Sequence, residues 1–534
     1  MNLRPSVQQH LRQRVQAFTE GFRQNLVLIG PPGSGKTFQL QLLSAAPPEQ
    51  MLVIYTPLYR ESCRSFLQRL QVAILQAGLS SPSGPAASGT EPSPSLEQWL
   101  NRAAPVFPKT TAAMRPIDAL LTRRLYAEAF NRTLDTIPLL IEERGRPCVL
   151  ILDEFLYLED LGFHHAFHEL GKRVMTWPST LFILASSSPY RAKRILRERL
   201  QLLFGQFELL ILETLDPTIA GAWARQELAR LPGASAAIPF LIDWLGAYPW
   251  YLAVLLKRLK ELAALQQRRA KLTEALFLHA AWDVLGAREG IVHQWCLSST
   301  ETLSRQRGGA RALEALLAIA QGARTTTAIG SAVGRAGLSE ALQLLIEYDV
   351  AERTGTCWMI ANPVMRCWLS TVLLAQRSAA RLEDAEIRRR FDEELRRLWQ
   401  AWSHAHQQPL AEQVAHLFTR FADDTISLDS KTGRLPKFDA VQTHPASPPQ
   451  HAAYLVANGE GRRWCASIHD RPVDEQAITG FETFCRAQSP KPSRKIVITT
   501  APMDDHAKLL AKAANMWIWQ SDDLTILRDL YGQS

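Results

Sequence analysis

Residues 30–37 read Gly30, Pro31, Pro32, Gly33, Ser34, Gly35, Lys36, Thr37. Glycines at this spacing let successive backbone N–H groups turn inward around phosphate oxygens. A helix beginning at the same point adds the positive end of its dipole. Lys36 would then neutralise the β- and γ-phosphates of a nucleoside triphosphate, and the Thr37 hydroxyl would hold Mg²⁺. The context that gives such a loop meaning is present, because the apolar run Leu26–Ile29 precedes it and a helical segment follows. A second group of residues completes the chemistry. Val149–Leu152 is fully apolar and ends in Asp153 and Glu154, and a buried parallel strand has little reason to end in two carboxylates unless its tip faces a site. Asp153 is placed to hold the metal with Thr37, and Glu154 to orient or deprotonate an attacking water. Catalysis is thus expected from Lys36 and Glu154.

Two weaker features accompany these. The run 180–188 ends in hydroxyls, so Ser186 or Ser187 is a candidate to hydrogen-bond the water or the γ-phosphate; an ordinary polar strand exit has the same composition. Arg191, Arg194, Arg197 and Arg199 form a series that would supply a phosphate-sensing arginine or simply a solvated helix face.

The elements that must position these residues follow from patterning. Between residues 25 and 216, short β-rich runs alternate with helix-length amphipathic segments, the pattern of parallel strands joined by crossover helices. We therefore expect an α/β core at 1–216, with a flexible insertion at 80–95, where Ser, Pro and Gly dominate. An all-helical pattern at 217–290 reads as a lid. At 291–375, short helical patterns followed by two strand-like runs around Gly355 read as a winged helix. A linking helix is expected at 376–405 and a final α/β segment at 406–534.

With these motifs in place, the first 375 residues resemble the archaeal-type ATPases of the AAA/STAND branch of P-loop proteins. The matching pieces are RQNLVLIGPPGSGKT, CVLILDEF, LFILASSS and Gly246-Ala-Tyr-Pro249, the last similar to a Gly-x-Pro element that those proteins use near the nucleotide. The resemblance implies ATP, with Mg²⁺, as the ligand, Ser187 and Pro249 among the residues lining its site, and a switch in which lid and winged helix move relative to the core. The residues by themselves specify only a nucleoside triphosphate and Mg²⁺. The third helix of the winged-helix pattern, 338–349, has no Lys or Arg and carries Glu340, Glu347 and Asp349. Such a helix would repel the phosphates that dominate nucleic-acid affinity.

Residues 406–534 resemble a restriction-endonuclease-like PD-(D/E)xK fold. Glu412 and Asp439 match two of that family's acids, but the Glu-x-Lys position falls on Ala466, Ser467 and Ile468, with His469 as the remaining stand-in and Asp470 beside it. The resemblance therefore implies a nuclease fold that is inactive or strongly altered.

Composition bounds the rest. The chain has 534 residues, 46% hydrophobic and 21% charged, with a net charge of +8, which excludes a chain disordered throughout. Residues 406–534 are nearly neutral, so any basic surface belongs to the first 405. Seven scattered cysteines, none in a Cys-x-x-Cys pair, argue against a disulfide framework or zinc knuckle. No apolar run suits a membrane span, and the opening residues lack the apolar core of a secretion signal, so a cytoplasmic protein is expected. The expectation is an ATPase whose Mg²⁺-ATP cycle is coupled to its C-terminal domains, with a protein partner. Two alternatives stand beside it: an ATP-regulated nuclease or DNA-binding ATPase of defence or mobile elements, and a nucleotide-gated scaffold with little hydrolysis.

Overall fold

A computed structural model describes residues 2–48, 50–80, 94–163, 165–198, 206–265, 271–377, 383–428, 431–445 and 452–532. Most of the expected 80–95 insertion lies outside these, as does Arg199. The chain divides into two compact units: Met1–Lys260 with Glu347–Asp349, and Glu261–Ile346 with Val350–Ser534. This division falls inside the 217–290 stretch expected as a lid.

The first unit is built on five parallel strands: β1 (Asn25–Ile29), β2 (Leu52–Pro57), β3 (Cys148–Asp153), β4 (Thr180–Ser186) and β5 (Phe207–Ile211), in the order β2-β3-β4-β1-β5. Every residue of β1, β3 and β4 is buried. Their uninterrupted apolar runs are therefore explained by cover on both faces, since alternation appears only where one face meets water. One face packs on helices through Phe66, Leu70, Phe130, Phe155 and Phe182. The other face packs on Leu11 and Val15 of α1 (Pro5–Thr19) and Leu40 and Leu43 of α2 (Lys36–Ala45). Among the described residues, five helices stand between β2 and β3, where a single crossover would have sufficed. One of them, Leu96–Ala103, starts in a capping box, its Ser95 Oγ accepting from the Gln98 N–H at 3.3 Å. Beyond β5, Asp216 accepts from the N–H groups of Thr218 and Ile219 and so starts the helix Pro217–Glu227, after which come Ala234–Leu245 and Pro249–Leu265.

In the second unit, helices Gly309–Ala320, Thr326–Val333 and the greater part of Leu338–Glu347 lead to a hairpin of β6 (Glu352–Thr354) and β7 (Cys357–Met359). Gly355 turns the hairpin with φ +63°, and a Cβ there would lie 2.0 Å from the Thr425 carbonyl oxygen, so only glycine permits the approach. The hairpin is committed to β8 (Asp424–Leu428): the Thr356 N–H donates to Thr425 O at 2.7 Å, and Thr354 Oγ1 donates to Ser427 O at 3.0 Å. Strand β8 pairs with β9 (Lys431–Leu435). A second five-stranded sheet follows, with β10 (Ala440–Pro445), β11 (Ala452–Gly459), β12 (Arg462–His469), β13 (Arg494–Thr499) and β14 (Trp517–Trp519) in sequence order. The first three are antiparallel and the last three parallel. The long helix Asp384–Gln407 leads into this region. All seven cysteines are buried free thiols.

Candidate nucleotide site

The glycine-rich loop leaves the carboxyl end of β1 and enters α2 at Lys36. Gly33 and Gly35 take φ values of +80° and +96°, the left-handed region that glycine adopts without steric cost. Gly30 is fixed by close approach instead, since its Cβ would lie 2.2 Å from the Leu212 carbonyl oxygen. The three glycines therefore serve two distinct purposes, torsional freedom and contact.

Lys36 is 3% exposed, and its ammonium donates to the Gly30 oxygen at 2.8 Å and the Pro31 oxygen at 3.1 Å. Burial holds its pKa below the ordinary lysine value, and Glu154 and Asp153 oppose that shift. Thr37 Oγ1 donates to Asp153 Oδ2 at 2.8 Å, so the two residues expected to share a metal are in direct contact. Tyr55, on the neighbouring strand β2, donates its hydroxyl to the same oxygen at 3.1 Å. The other oxygen, Asp153 Oδ1, is buried without a partner. A hydroxyl, a carboxylate and one orphaned carboxylate oxygen are the hard donors that Mg²⁺ prefers, so the residues present fit that ion.

Glu154 follows β3 in the left-handed region, φ +57° and ψ +44°, a conformation rare for a residue with a side chain and frequent at functional sites. Ser187 secures it: the Ser187 N–H donates to Oε2 at 2.9 Å and the Ser187 hydroxyl donates to Oε1. Burial raises the pKa of Glu154, against the opposing effects of Lys36 and these hydrogen bonds. Ser186, by contrast, is fully buried and its hydroxyl accepts from the Ser188 N–H at 3.0 Å in a local turn. Of the two serines, only Ser187 reaches Glu154.

Pro249 opens a helix whose next residue, Trp250, donates its N–H to the Gly33 oxygen at 3.2 Å. Pro31 and Pro32 lie in the loop, half-buried. Arg191 pairs with Glu159 at 2.8 Å and Arg194 with Glu347 at 3.1 Å, so neither faces the loop as an uncommitted cation. Two residues at the site carried no motif: Tyr55, in the strand sequence LVIYTP, and Arg4, whose guanidinium donates to the Ser34 oxygen at 3.1 Å. Spacing within the chain gave no signal for either.

Of the residues matched to a nuclease, Asp439 and His469 are not brought together. Asp439 is exposed, and its N–H donates to the Asn458 oxygen beside one end of β11. His469 pairs with Ala452 at the other end of β11, six residues away, or about 20 Å along the strand. Glu412 is exposed on the helix Leu410–Phe418. Among the described residues, no three His, Cys, Asp or Glu side chains are grouped to hold a metal ion. Strands β10 and β12 run in the same direction, each antiparallel to β11, so Asp439, just before the first residue of β10, and His469, the last residue of β12, fall at opposite ends of the strands.

His469 is nonetheless a measurable feature. It is 5% exposed with Nε2 unpartnered, and burial pushes its pKa down to about 4 despite the nearby Asp470 and Asp474. The unfolded chain, with a value of about 6.5, binds the proton more readily, so stability is complete above that pH and is lost as pH falls toward 4. We expect a loss of about 2 kcal/mol between pH 7 and pH 5 from this residue. Urea unfolding of wild type and His469→Asn across that range checks it; parallel curves would show that His469 is not held neutral.

Among the described residues, no helix is long and apolar enough to cross a membrane.

No family model matches the chain, and no curated protein matches it. Solved structures do. A Walker-type ATPase of Pyrococcus abyssi is 17% identical, over 68% of this chain and 95% of that one, with a TM-score of 0.45. The Aeropyrum pernix ORC2 protein, solved in ADPNP-ADP complexes, is 14% identical over 76% and 95%, with a TM-score of 0.41. Thermotoga maritima RuvB is 13% identical over 67% and 91%, with a TM-score of 0.33.

Proposed function

We propose that this protein binds Mg²⁺-ATP at residues 30–37 and hydrolyses it, using the cycle as a conformational switch coupled to its C-terminal region. The five-stranded parallel sheet, with its flanking helices and glycine-rich loop, is a P-loop NTPase core. The observation that carries the finer reading is the convergence of Lys36, Thr37, Asp153 and Glu154 at the carboxyl ends of β1 and β3. Ligands of open α/β sheets bind at that edge.

In this reading the inward N–H groups of residues 33–36 cradle the phosphates, and Lys36 exchanges its two carbonyl partners for phosphate oxygens. Thr37 and Asp153 would hold Mg²⁺, which when bound supplies charge neutralisation across the β- and γ-phosphates. Glu154 accepts the proton of the attacking water once its carboxylate leaves Ser187. Pro249 and Trp250 bring the helical segment against the loop, so occupancy of the site has a direct mechanical neighbour.

We read the helices 309–347 with the β6–β7 hairpin as a winged helix used for packing within the chain. Two features support this: the hairpin's bonds to β8, and the exposed Glu340 on a helix without Lys or Arg. The separation of Asp439 from His469 speaks against the nuclease alternative. The test is ATP turnover by the purified protein with Mg²⁺, alone and with single- or double-stranded DNA. We expect turnover that DNA leaves unchanged. Stimulation by DNA would move the partner from protein to nucleic acid, and absence of nucleotide binding would end the proposal.

A further inference from the structure

We infer that Arg4 is a positioning residue of the phosphate cradle, an assignment that rests on the nucleotide-binding proposal above. Arg4 immediately precedes α1 and belongs to no motif. Its Nε donates to the Ser34 oxygen at 3.1 Å, and its Nη2 donates to the Glu213 oxygen. The segment is itself pinned: Asn2 Oδ1 accepts from the Arg4 N–H at 3.0 Å and from Gln39 Nε2 of α2 at 3.0 Å.

The consequence follows from peptide geometry. In a trans peptide the C=O and N–H point to opposite sides. A guanidinium gripping the Ser34 carbonyl from outside the loop therefore turns the Gly35 N–H inward, where a phosphate oxygen would meet it. Gly35 needs such a restraint. It has no Cβ, its φ is +96°, and nothing lies within 4 Å of where a Cβ would be, so its own packing does not stop the peptide from swinging.

The second contact places the restraint in a wider frame. Glu213 follows β5 and leads to the helix Pro217–Glu227. The preceding residue, Leu212, donates its N–H to the Ile29 oxygen at 2.7 Å and lies against Gly30. The connector thus touches the loop at its first glycine, and Arg4 joins the same connector to the loop's far end. A planar guanidinium can hold two carbonyls in fixed relation, which the single ammonium of lysine does less well. Burial lowers the pKa of Arg4, yet an arginine starts high enough to keep its charge at neutral pH.

The test uses the full-length protein with Arg4→Ala and Arg4→Lys, titrated with ADP and assayed for ATP turnover. Arg4→Ala should weaken ADP binding about 10- to 100-fold and raise KM for ATP similarly, with kcat within about threefold. Arg4→Lys should fall between it and wild type. Amide hydrogen exchange should quicken in peptides covering 30–37 and stay unchanged in β3 and β4. Faster exchange confined to α1, or ADP binding within about threefold of wild type, would overturn the assignment by showing that Arg4 only anchors that helix. If Arg4→Ala does not fold, Arg4→Lys decides, since a wild-type KM for it would equally overturn the role. Wild-type protein that binds no nucleotide removes the underlying proposal and this inference together; a defect confined to the variants does not.

Discussion

Replacing Lys36 by alanine should abolish nucleotide binding, raising the dissociation constant for ATP by at least about 100-fold, equivalent to about 3 kcal/mol or more. The size of the effect comes from where the ammonium sits. It is nearly excluded from water, and it donates to the carbonyls of Gly30 and Pro31, with Ser34 Oγ at the 3.5 Å limit. Neutral carbonyls compensate a buried cation poorly, so the charge is held ready for a stronger acceptor, and a phosphate oxygen is one. A second effect accompanies the first. Lys36 is the largest influence keeping the buried Glu154 carboxylate ionised. Without it Glu154 should titrate at still higher pH, so any residual turnover of Lys36→Ala should fall off earlier on the acid side than that of wild type. Lys36→Met, which keeps the methylene chain, separates loss of charge from loss of packing. Titration calorimetry with ATP decides the matter; binding within about tenfold of wild type for both variants would show that the loop does not take phosphates.

How far this site was legible in the sequence depended on whether a residue's task is local. The loop and the DE pair were readable because each is a contiguous run whose chemistry needs neighbours in sequence. Gly33 and Gly35 must reach positive φ, and Asp153 and Glu154 must end a buried strand. The alternation of apolar runs likewise predicts a parallel sheet, and five parallel strands are found. Arg4 and Tyr55 were not readable, because each acts through a partner brought close only by the fold: Arg4 on Ser34 and Glu213, Tyr55 on Asp153 across the β2–β3 ladder. Gly355 shows the same divide. Its role as a tight turn was visible, but the closeness of Thr425, seventy residues on, was not. In the second sheet the missing Glu-x-Lys pair was visible in the sequence, whereas the separation of Asp439 from His469 was not, because only the register of β11 sets them at opposite ends.

Glu154→Gln should leave ATP binding near the wild-type level and lower kcat by about 10²- to 10⁴-fold, the contribution of a positioned general base. Glutamine is the substitution of choice because it preserves the resting geometry. Its Oε1 can accept from the Ser187 N–H, its Nε2 can donate to the Ser187 hydroxyl, and it tolerates φ +57° no worse than glutamate. What it cannot do is take a proton from water. The same residue sets a pH limit. Burial raises its carboxyl pKa, and a general base works only when deprotonated, so the acid limb of kcat should lie above the ordinary carboxylate range. Ser187→Ala removes the hydroxyl that stabilises the ionised form and should move that limb further toward neutral pH. The two measurements check each other through one carboxylate. A kcat within about tenfold of wild type for Glu154→Gln would place the proton elsewhere and leave Glu154 as a structural acid held by Ser187. A large fall in kcat with ATP still bound would instead identify the variant as a trap for the ATP-bound state, the form in which coupling to the C-terminal region can be measured directly.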